Sequence, residues 1–412
     1  MKRFMVLVLL TGSFIGSYAT DARVIAMGRQ DNFFMDEVSI FRNPANINLY
    51  PNMVYGSYGV YRANKEDSAN QYLTENLNKR DPSDPFFGAL VSYSLNQNAE
   101  NRNQYPMFSF GAFFNRHDEL LDFITPGTDN YMGNPSAKLL DPTGKIDLMA
   151  GYVLENGGMI GIGTYLAFQS VTQNDSVQYE TSIYKGTAGI NWPIAKSTNL
   201  EVSGAGGILR SMGDSLMNTN NSPKVILANN DFFVKGDARL FSALTLLNGD
   251  FVPHIGGQYV NLKSGDISVA ELNAGIGINV NIDKGFFWTG IEGLYRDLYT
   301  TDSTRIGIGG RVSFGIERSI WWDWFVVRVG GQKVLVYNNV QLNNSITKGY
   351  WEENPTNDGS DNDLVSLGFG LNVENRLRVD FVASEDVAYT LTNLISSPQH
   401  HIFTRVSATY SF

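Results

Sequence analysis

The chain has 412 residues, no cysteine, 43% hydrophobic residues, only 17% charged residues and a formal net charge of −10. The absence of cysteine excludes a disulfide scaffold, the many aromatic residues argue against disorder, and an acidic chain lacks the basic face that nucleic acid requires. Glycine, asparagine and aromatic residues stand where an average cytosolic chain carries charge.

The first nineteen residues have the pattern of a secretory signal peptide. A basic start, Lys2-Arg3, precedes an apolar run over 4–15 and a small-x-small motif at 17–19. The apolar run is broken by polar residues and is too short for a membrane anchor, which is the alternative hypothesis. We therefore predict a signal peptide over 1–19, cleaved after Ala19.

The segment 20–51 shows no period-two alternation and precedes the first predicted strand. Its motif residues are Gly28, Asp36, Glu37, Asn43, Pro44 and Ala45. Pro44 fixes its own φ and holds Asn43 extended, while the small Ala45 allows close approach to a wall. Such a turn suits a segment folded inside a barrel, so we predict an N-terminal hatch, or plug, over 20–51. An ordinary periplasmic linker with an Asn-Pro turn is the alternative.

The rest of the chain, 52–412, is dominated by long alternating segments. In 267–282, Leu272 and Ile276 share one parity, and Glu271 and Asn279 share the other. Sixteen alternating residues exceed the usual globular strand of about five or six, which argues against a water-soluble sandwich. No stretch after residue 19 has 18 consecutive apolar residues, so strands are predicted to cross the membrane.

We count sixteen candidate strands and predict an all-β fold, a transmembrane antiparallel β-barrel of about 14 to 16 strands with the N-terminal plug inside the lumen. The strands are predicted at about 53–62, 86–95, 107–116, 145–155, 159–170, 177–193, 199–211, 232–247, 251–262, 267–282, 286–299, 303–318, 323–337, 363–374, 376–385 and 401–412.

The connections distinguish the two rims of this barrel. Tight turns join even-numbered strands to the next odd one, at 155–158, 248–250, 282–285 and 374–376. Long connections join odd-numbered strands to the next even one, at 63–85, 117–144, 212–231, 338–362 and 386–400. Outer-membrane barrels have short periplasmic turns and long outer loops, so both termini are predicted to be periplasmic. Five tryptophans beside the short turns predict an interfacial belt there: Trp192, Trp288, Trp321, Trp322 and Trp324.

The last predicted strand alternates down to a terminal aromatic residue. Phe412 ends the chain, and Tyr410 precedes it by two positions on the same face. This ending resembles the C-terminal signal that the bacterial outer-membrane insertion machinery recognises. Together with the signal peptide, it predicts a location in the bacterial outer membrane, with membrane lipid and the assembly machinery as partners.

The N-terminal motifs resemble the hatch of the FadL-like family of outer-membrane transporters and of the related PorV-like proteins. The matching positions are Ala22, Arg23, Ala26, Met27, Gly28, Asp36, Asn43, Pro44 and Ala45. The resemblance depends on about thirty residues, and Arg29 and Asn46 stand where the family has glycine. It implies a plugged barrel of fourteen strands and the transport of hydrophobic molecules.

Charged residues at the strand positions predicted to face the lumen suggest two roles for the inner wall. The basic ones are Lys235, Arg239, Arg305, Arg311, Arg328, Arg376, Arg378 and Arg405, and the acidic ones are Asp237, Glu271, Glu317, Glu374 and Asp380. They can form ion pairs within the wall, some of them holding Asp31, Asp36 or Glu37 of the hatch. Alternatively, the arginines bind the anionic head of a ligand whose tail lies along aromatic residues.

The sequence carries no catalytic constellation that we recognise. The four histidines, at 117, 254, 400 and 401, belong to no motif for hydrolysis. Glycine clusters at 204–207, 275–277 and 307–310 lie inside strands, where they allow kinks or close packing of the hatch and lack the helix that follows a phosphate loop. We predict no enzymatic activity, no cofactor and no metal.

The leading functional hypothesis is an outer-membrane channel for passive uptake of hydrophobic or amphipathic small molecules, with such a molecule as its ligand. The alternatives are a PorV-like docking or shuttle component for secreted proteins, and a structural or adhesive barrel. A continuous apolar pocket between hatch and wall favours transport, whereas a filled lumen with an exposed apolar patch on the outer loops favours docking.

Overall fold

A computed structural model of the protein describes residues 21–28, 30–59, 85–94, 107–124, 137–138, 142–173, 176–215, 224–263, 266–300, 303–342, 345–353, 365–374, 376–384 and 405–412. The predicted signal peptide, 1–19, lies outside the described residues. None of the helices in the described part of the chain is long and apolar enough to cross a membrane.

Sixteen strands form the wall, and all of them were predicted from the alternation. They are β1 (Met53–Gly59), β2 (Phe86–Ser94), β3 (Met107–Phe114), β4 (Gly144–Val153), β5 (Met159–Gln173), β6 (Ser176–Ala195), β7 (Thr198–Ser215), β8 (Lys224–Leu244), β9 (Gly249–Leu262), β10 (Ile267–Ile282), β11 (Gly285–Tyr299), β12 (Ser303–Ser319), β13 (Phe325–Leu342), β14 (Ser366–Val373), β15 (Leu377–Ser384) and β16 (Arg405–Ser411).

Each strand pairs antiparallel with its neighbours along the chain, and the sheet closes on itself. The closing ladder joins β1 to β16, with Met53 opposite Ser411 and Gly59 opposite Arg405. A strand needs both neighbours to satisfy its backbone groups in lipid, and closure supplies them without an edge. The count of sixteen is confirmed, and the fourteen strands implied by the family resemblance are wrong for this chain.

The two rims lie where the turn lengths predicted them. The Phe412 amide donates to the carbonyl oxygen of Asn52 at 3.0 Å, which places the end of the chain beside the start of β1. Because neighbouring strands are antiparallel, Phe412 lies on the rim of the short turns, opposite the connection after β13. Tyr410 and Phe412 are both exposed on the outer face of the wall.

Two of the long outer connections are more ordered than predicted. The ladder between β7 and β8 continues to the pair Asp214–Lys224, so most of the expected loop 212–231 is strand. After β13 the chain folds back as a further strand, Ser345–Glu353, along the outer end of β13. A hairpin that projects beyond the membrane needs no apolar face, which is why alternation did not reveal these extensions.

The outer surface of the barrel is apolar, as a membrane-spanning wall requires. Phe87, Ile162, Ile291 and Ile308 are each exposed over 60% or more of their surface. The tryptophan belt is only partly present. Trp321, Trp322 and Trp324 are exposed at the short-turn rim, but Trp288 is fully buried inside the lumen, so its assignment to the belt is wrong.

Short helices fill the lumen. They are α1 (Asp21–Ala26), the 3-10 helices Glu37–Phe41 and Pro44–Leu49, and α2 (Leu121–Ile124) in the connection between β3 and β4; a third 3-10 helix, Thr245–Leu247, lies at the turn between β8 and β9. The Asp36 side chain accepts from Val38 N, and the Asn43 side chain accepts from Ala45 N, both at 3.1 Å. These caps, with Pro44 at a first helical position, are why the sequence forms two short turns here.

Candidate functional site in the barrel lumen

The Asn43-Pro44-Ala45 turn of the hatch lies against glycines of the wall. The Asn43 Nδ2 atom donates to the carbonyl oxygen of Ile190 on β6 at 2.9 Å. A Cβ atom added at Gly161 of β5 would overlap the backbone of Pro44 and Ala45, and one added at Gly189 of β6 would overlap the Asn43 side chain. Bare backbone at these positions lets the hatch approach the wall closely.

A second glycine seat holds the first turn of the hatch on the other side of the barrel. Gly28 has φ +99°, and a Cβ atom there would lie 2.9 Å from the Phe314 carbonyl oxygen. Gly315 and Gly330 of the wall have no room for a side chain beside Met27. The hatch therefore spans the lumen between two seats, on β5–β6 and on β12–β13.

Aromatic residues fill the space next to this second seat. Phe33 and Phe34 are buried, and their rings lie 6.1 Å and 5.4 Å from the ring of Trp288. Phe33 occupies the space that side chains at Gly277 and Gly290 would take. The aromatic packing explains why Trp288 points into the lumen rather than towards lipid.

A buried ion-pair network ties α1 to the wall. The Arg23 Nε atom donates to Glu317 Oε2 at 2.7 Å, and Glu317 also accepts from Arg328 at 2.5 Å and Arg378 at 3.1 Å. Asp380 pairs with both of these wall arginines. Breaking such a buried pair costs about 3–5 kcal/mol because the remaining charge is left without a partner.

The two acidic hatch residues do not bind lumen arginines as expected. Asp36 pairs with Arg23 of the hatch itself at 3.3 Å. Both Glu37 carboxylate oxygens are buried without a hydrogen-bond partner among the described residues. Burial, and then the neighbouring Asp36, raise the pKa of Glu37 well above its ordinary value. The wall arginines are instead matched by wall carboxylates, of which Glu201 and Glu292 were not among the predicted lumen residues.

Two further wall clusters contact the middle of the hatch. Arg239 pairs with Glu201 at 2.6 Å and donates to the carbonyl oxygens of Asp31 and Phe34, at 2.6 Å and 3.1 Å. Glu292 accepts from Asn32 of the hatch at 2.8 Å, and the same carboxylate accepts from Arg311 of the wall at 2.7 Å and lies 3.2 Å from His254.

The remaining predicted arginines have different positions. Arg405 pairs with Asp21 at the start of the hatch. Arg305 pairs with Glu352 of the outer hairpin, away from the hatch. Arg376 and Glu374 lie exposed at the turn between β14 and β15, so their placement in the lumen is wrong. In the described part of the chain, each predicted arginine that lies in the lumen is therefore paired with a carboxylate.

Residues 115–124 after β3 form a second closure of the lumen, which was not predicted from the sequence. We call this segment the inward loop. Leu120, Leu121 and Phe123 are buried in one apolar cluster with lumen-facing residues of the wall, including Phe233 and Val260. The closely spaced leucines and phenylalanine within a long connection were the available signal.

Ion pairs hold the same loop to the wall. Arg116 pairs with Asp147 of β4 at 2.9 Å, and Asp118 accepts from Lys185 of β6 at 2.7 Å. Burial alone would raise the pKa of Asp118, but Lys185 and Arg116 hold it well below its ordinary value. The inward loop is thus an ordered part of the closed barrel.

Between the hatch and the inward loop lies a cavity of about 250 Å³. Its lining is rich in charge of both signs. A larger concavity of about 690 Å³ lies on the outer face of β2–β5, where Val91, Phe110, Leu148 and Ile162 surround it. The larger and more apolar of these two spaces therefore faces lipid, not the lumen.

The fold and the site define a plugged transmembrane β-barrel, which is the architecture that the FadL-like resemblance implied. No protein-family model matches the chain, and no curated protein matches it. Among solved structures, CdiB from Escherichia coli is similar at 10% identity and a TM-score of 0.40, over 87% of this chain. The chain spans 63% of the length of that CdiB chain.

Two mutants of the TodX monoaromatic hydrocarbon channel are also similar. The deltaS2S3 mutant has 11% identity over 96% of this chain, and the deltaS2 mutant has 10% identity over 97%. Both alignments cover 99% of the TodX chain at a TM-score of 0.38. At this level of likeness, the contacts inside the present barrel remain the evidence for its function.

Proposed function

We propose that the protein is a closed, gated channel of the bacterial outer membrane that passes small amphipathic molecules by diffusion. The single observation behind this proposal is that the wall closes through the β1–β16 ladder, while the described hatch contributes no strand to it. The hatch can therefore move or leave without breaking a wall ladder.

The proposal divides the chain into a signal peptide over 1–19, a hatch over 20–51 and a barrel over 52–412. It includes no enzymatic step. Membrane lipid is the solvent for the apolar outer face, and the exposed Tyr410 and Phe412 are proposed as the signal read by the assembly machinery. The charged cavity supports the amphipathic rather than the purely apolar part of the predicted substrate class.

A docking or shuttle role for secreted proteins is the second candidate. The observation that favours it is the lumen, which the hatch and the inward loop occupy at two levels in the described part of the chain. The loops 60–84, 354–364 and 385–404, where a docking patch would be sought, lie outside the described residues.

Conductance in planar bilayers tests the channel directly. Deleting residues 20–48 removes both glycine-seated turns, so we expect higher single-channel conductance than in the full chain, with the barrel still folded by heat modifiability. Flux of an amphipathic solute into liposomes should rise in parallel. Unchanged conductance and flux in a folded variant that combines this deletion with Leu121→Ala in the inward loop would contradict the channel and leave the docking role.

A further inference from the structure

The cavity between the hatch and the inward loop has a chemically unusual lining. Charged side chains contribute four cations and four carboxylates: Arg42, Arg116, Lys185 and Lys235, and Asp31, Asp118, Glu119 and Asp237. The formal charge of the lining is therefore balanced. Val38, Phe41 and Ala205 add an apolar patch to the same cavity.

This lining discriminates between classes of ligand. A wholly apolar molecule would displace water from the exposed Lys235 and Glu119 side chains and return no hydrogen bonds, which is costly in a confined space. A simple anion or cation would leave its own charge unmatched by the balanced lining. A zwitterion can satisfy partners of both signs at once, as charge-assisted hydrogen bonds require.

The size of the cavity limits the ligand further. At about 30 Å³ for each water molecule in the liquid, a cavity of this volume holds about eight waters. That space suits a molecule with one carboxylate, one ammonium group and a short aliphatic side chain. Val38 and Phe41 of the hatch and Ala205 of the wall would cover that side chain.

Two of the charged groups are placed to exchange their present partner for a ligand. Lys235 pairs with Glu119, and their side chains remain 35% and 53% exposed, so water screens the pair. Such an exposed pair contributes only about 0–1 kcal/mol, and replacing it costs little. Asp237 contacts His254 through Oδ2 at 2.8 Å, so Oδ1 is the oxygen that an ammonium group would meet.

We propose that this cavity is a binding site for a small aliphatic amino acid or a zwitterion of the same size. Lys235 binds the carboxylate, Asp237 and Glu119 bind the ammonium group, and the hatch and the inward loop enclose the ligand. The site deepens the proposed function, on which it rests for its transport role, by naming the substrate class.

Binding to the full chain in detergent tests the site with matched probes. Isothermal titration with L-leucine should show saturable binding. 4-Methylpentanoate, 3-methylbutylamine and toluene, which lack one or both charges, should bind at least about tenfold more weakly because charged hydrogen bonds are lost. No saturable binding of leucine, or equal binding of 4-methylpentanoate, would overturn the proposal.

Variants then locate the site. Lys235→Gln should weaken leucine binding about tenfold, and Ala205→Phe should abolish it by filling the cavity. Lys284→Gln is the matched control, because Lys284 pairs with Asp323 on the opposite rim and should leave binding unchanged. Equal binding by the Lys235→Gln variant and the wild type would place leucine elsewhere.

Liposome flux separates failure of the site from failure of the channel. Leucine binding without leucine flux would keep the cavity site and contradict the channel. Flux of other amphipathic solutes without leucine binding would keep the channel and overturn the site.

Discussion

The inner and outer closures of the lumen are built in different ways. The hatch rests on wall glycines and on ion pairs such as Arg23–Glu317, whose side chains are almost fully buried. The inward loop combines a buried apolar cluster with buried pairs such as Lys185–Asp118, and it adds one pair, Lys235–Glu119, that remains partly in water. Buried ion pairs hold both closures, but the outer one also includes a water-screened pair, whose loss costs little.

A substitution in the glycine seat on β5–β6 should give the largest change in conductance. Gly161→Leu would place a side chain where Pro44 and Ala45 now lie, so the hatch should leave its seat. Because the wall ladder does not include the hatch, we expect a folded barrel with open-state conductance raised by about tenfold or more in bilayer recordings.

Gly186→Leu is the matched control for this experiment. A Cβ atom at Gly186 of β6 would meet only the Gly206 carbonyl oxygen, at 3.9 Å, and so has space. Equal conductance of the two variants would show that the hatch is not held by this seat.

The outer closure should respond to loss of apolar packing. Leu121 is fully buried, and Leu121→Ala should destabilise the inward loop by about 2–5 kcal/mol. The chain has no cysteine, so Ser203→Cys in the cavity wall can report opening without background labelling. Adding Leu121→Ala should raise the labelling rate of that cysteine several-fold with a membrane-impermeant thiol reagent.

Leu246→Ala provides the comparison, since Leu246 is 99% exposed on the opposite rim and should not change labelling. A labelling rate unaffected by Leu121→Ala would mean that the hatch alone limits access to the cavity.

The smallest effect concerns pH and distinguishes the two closures. In the closed state the pKa of Glu37 is raised by burial, and on release of the hatch it returns towards about 4.3. Between these two values the closed state binds one more proton, so raising the pH favours the open state, by at most about tenfold for each pH unit.

Channel opening measured from pH 5 to pH 8 should therefore increase a few-fold. Glu37→Gln should reduce this dependence, and the remainder belongs to Asp36, whose pKa is raised by burial to about 7. The labelling rate of the Ser203→Cys variant should not change when Glu37 is replaced. A pH response that survives Glu37→Gln combined with Asp36→Asn would assign the titration to a group outside the hatch.

Local patterns determined much of this protein. Period-two alternation indicated all sixteen strands and, in clear cases such as 267–282, the outward face, because the side-chain period depends only on the strand itself. Turn lengths assigned the rims. The hatch turns were also readable, since Asn43 and Pro44 cap and begin a helix with groups a few residues away.

Contacts across the lumen were decided only by the tertiary structure. Of the glycine clusters singled out by sequence, Gly277 contacts the hatch, while the seats are formed by isolated glycines such as Gly161 and Gly189. Trp288 packs on Phe34, and the inward loop meets strands far away in the chain. Strand alternation predicts which face of the wall a residue occupies. Its contact partner across the lumen depends on closure of the barrel, because only the closed ladder brings segments that are distant in the chain together.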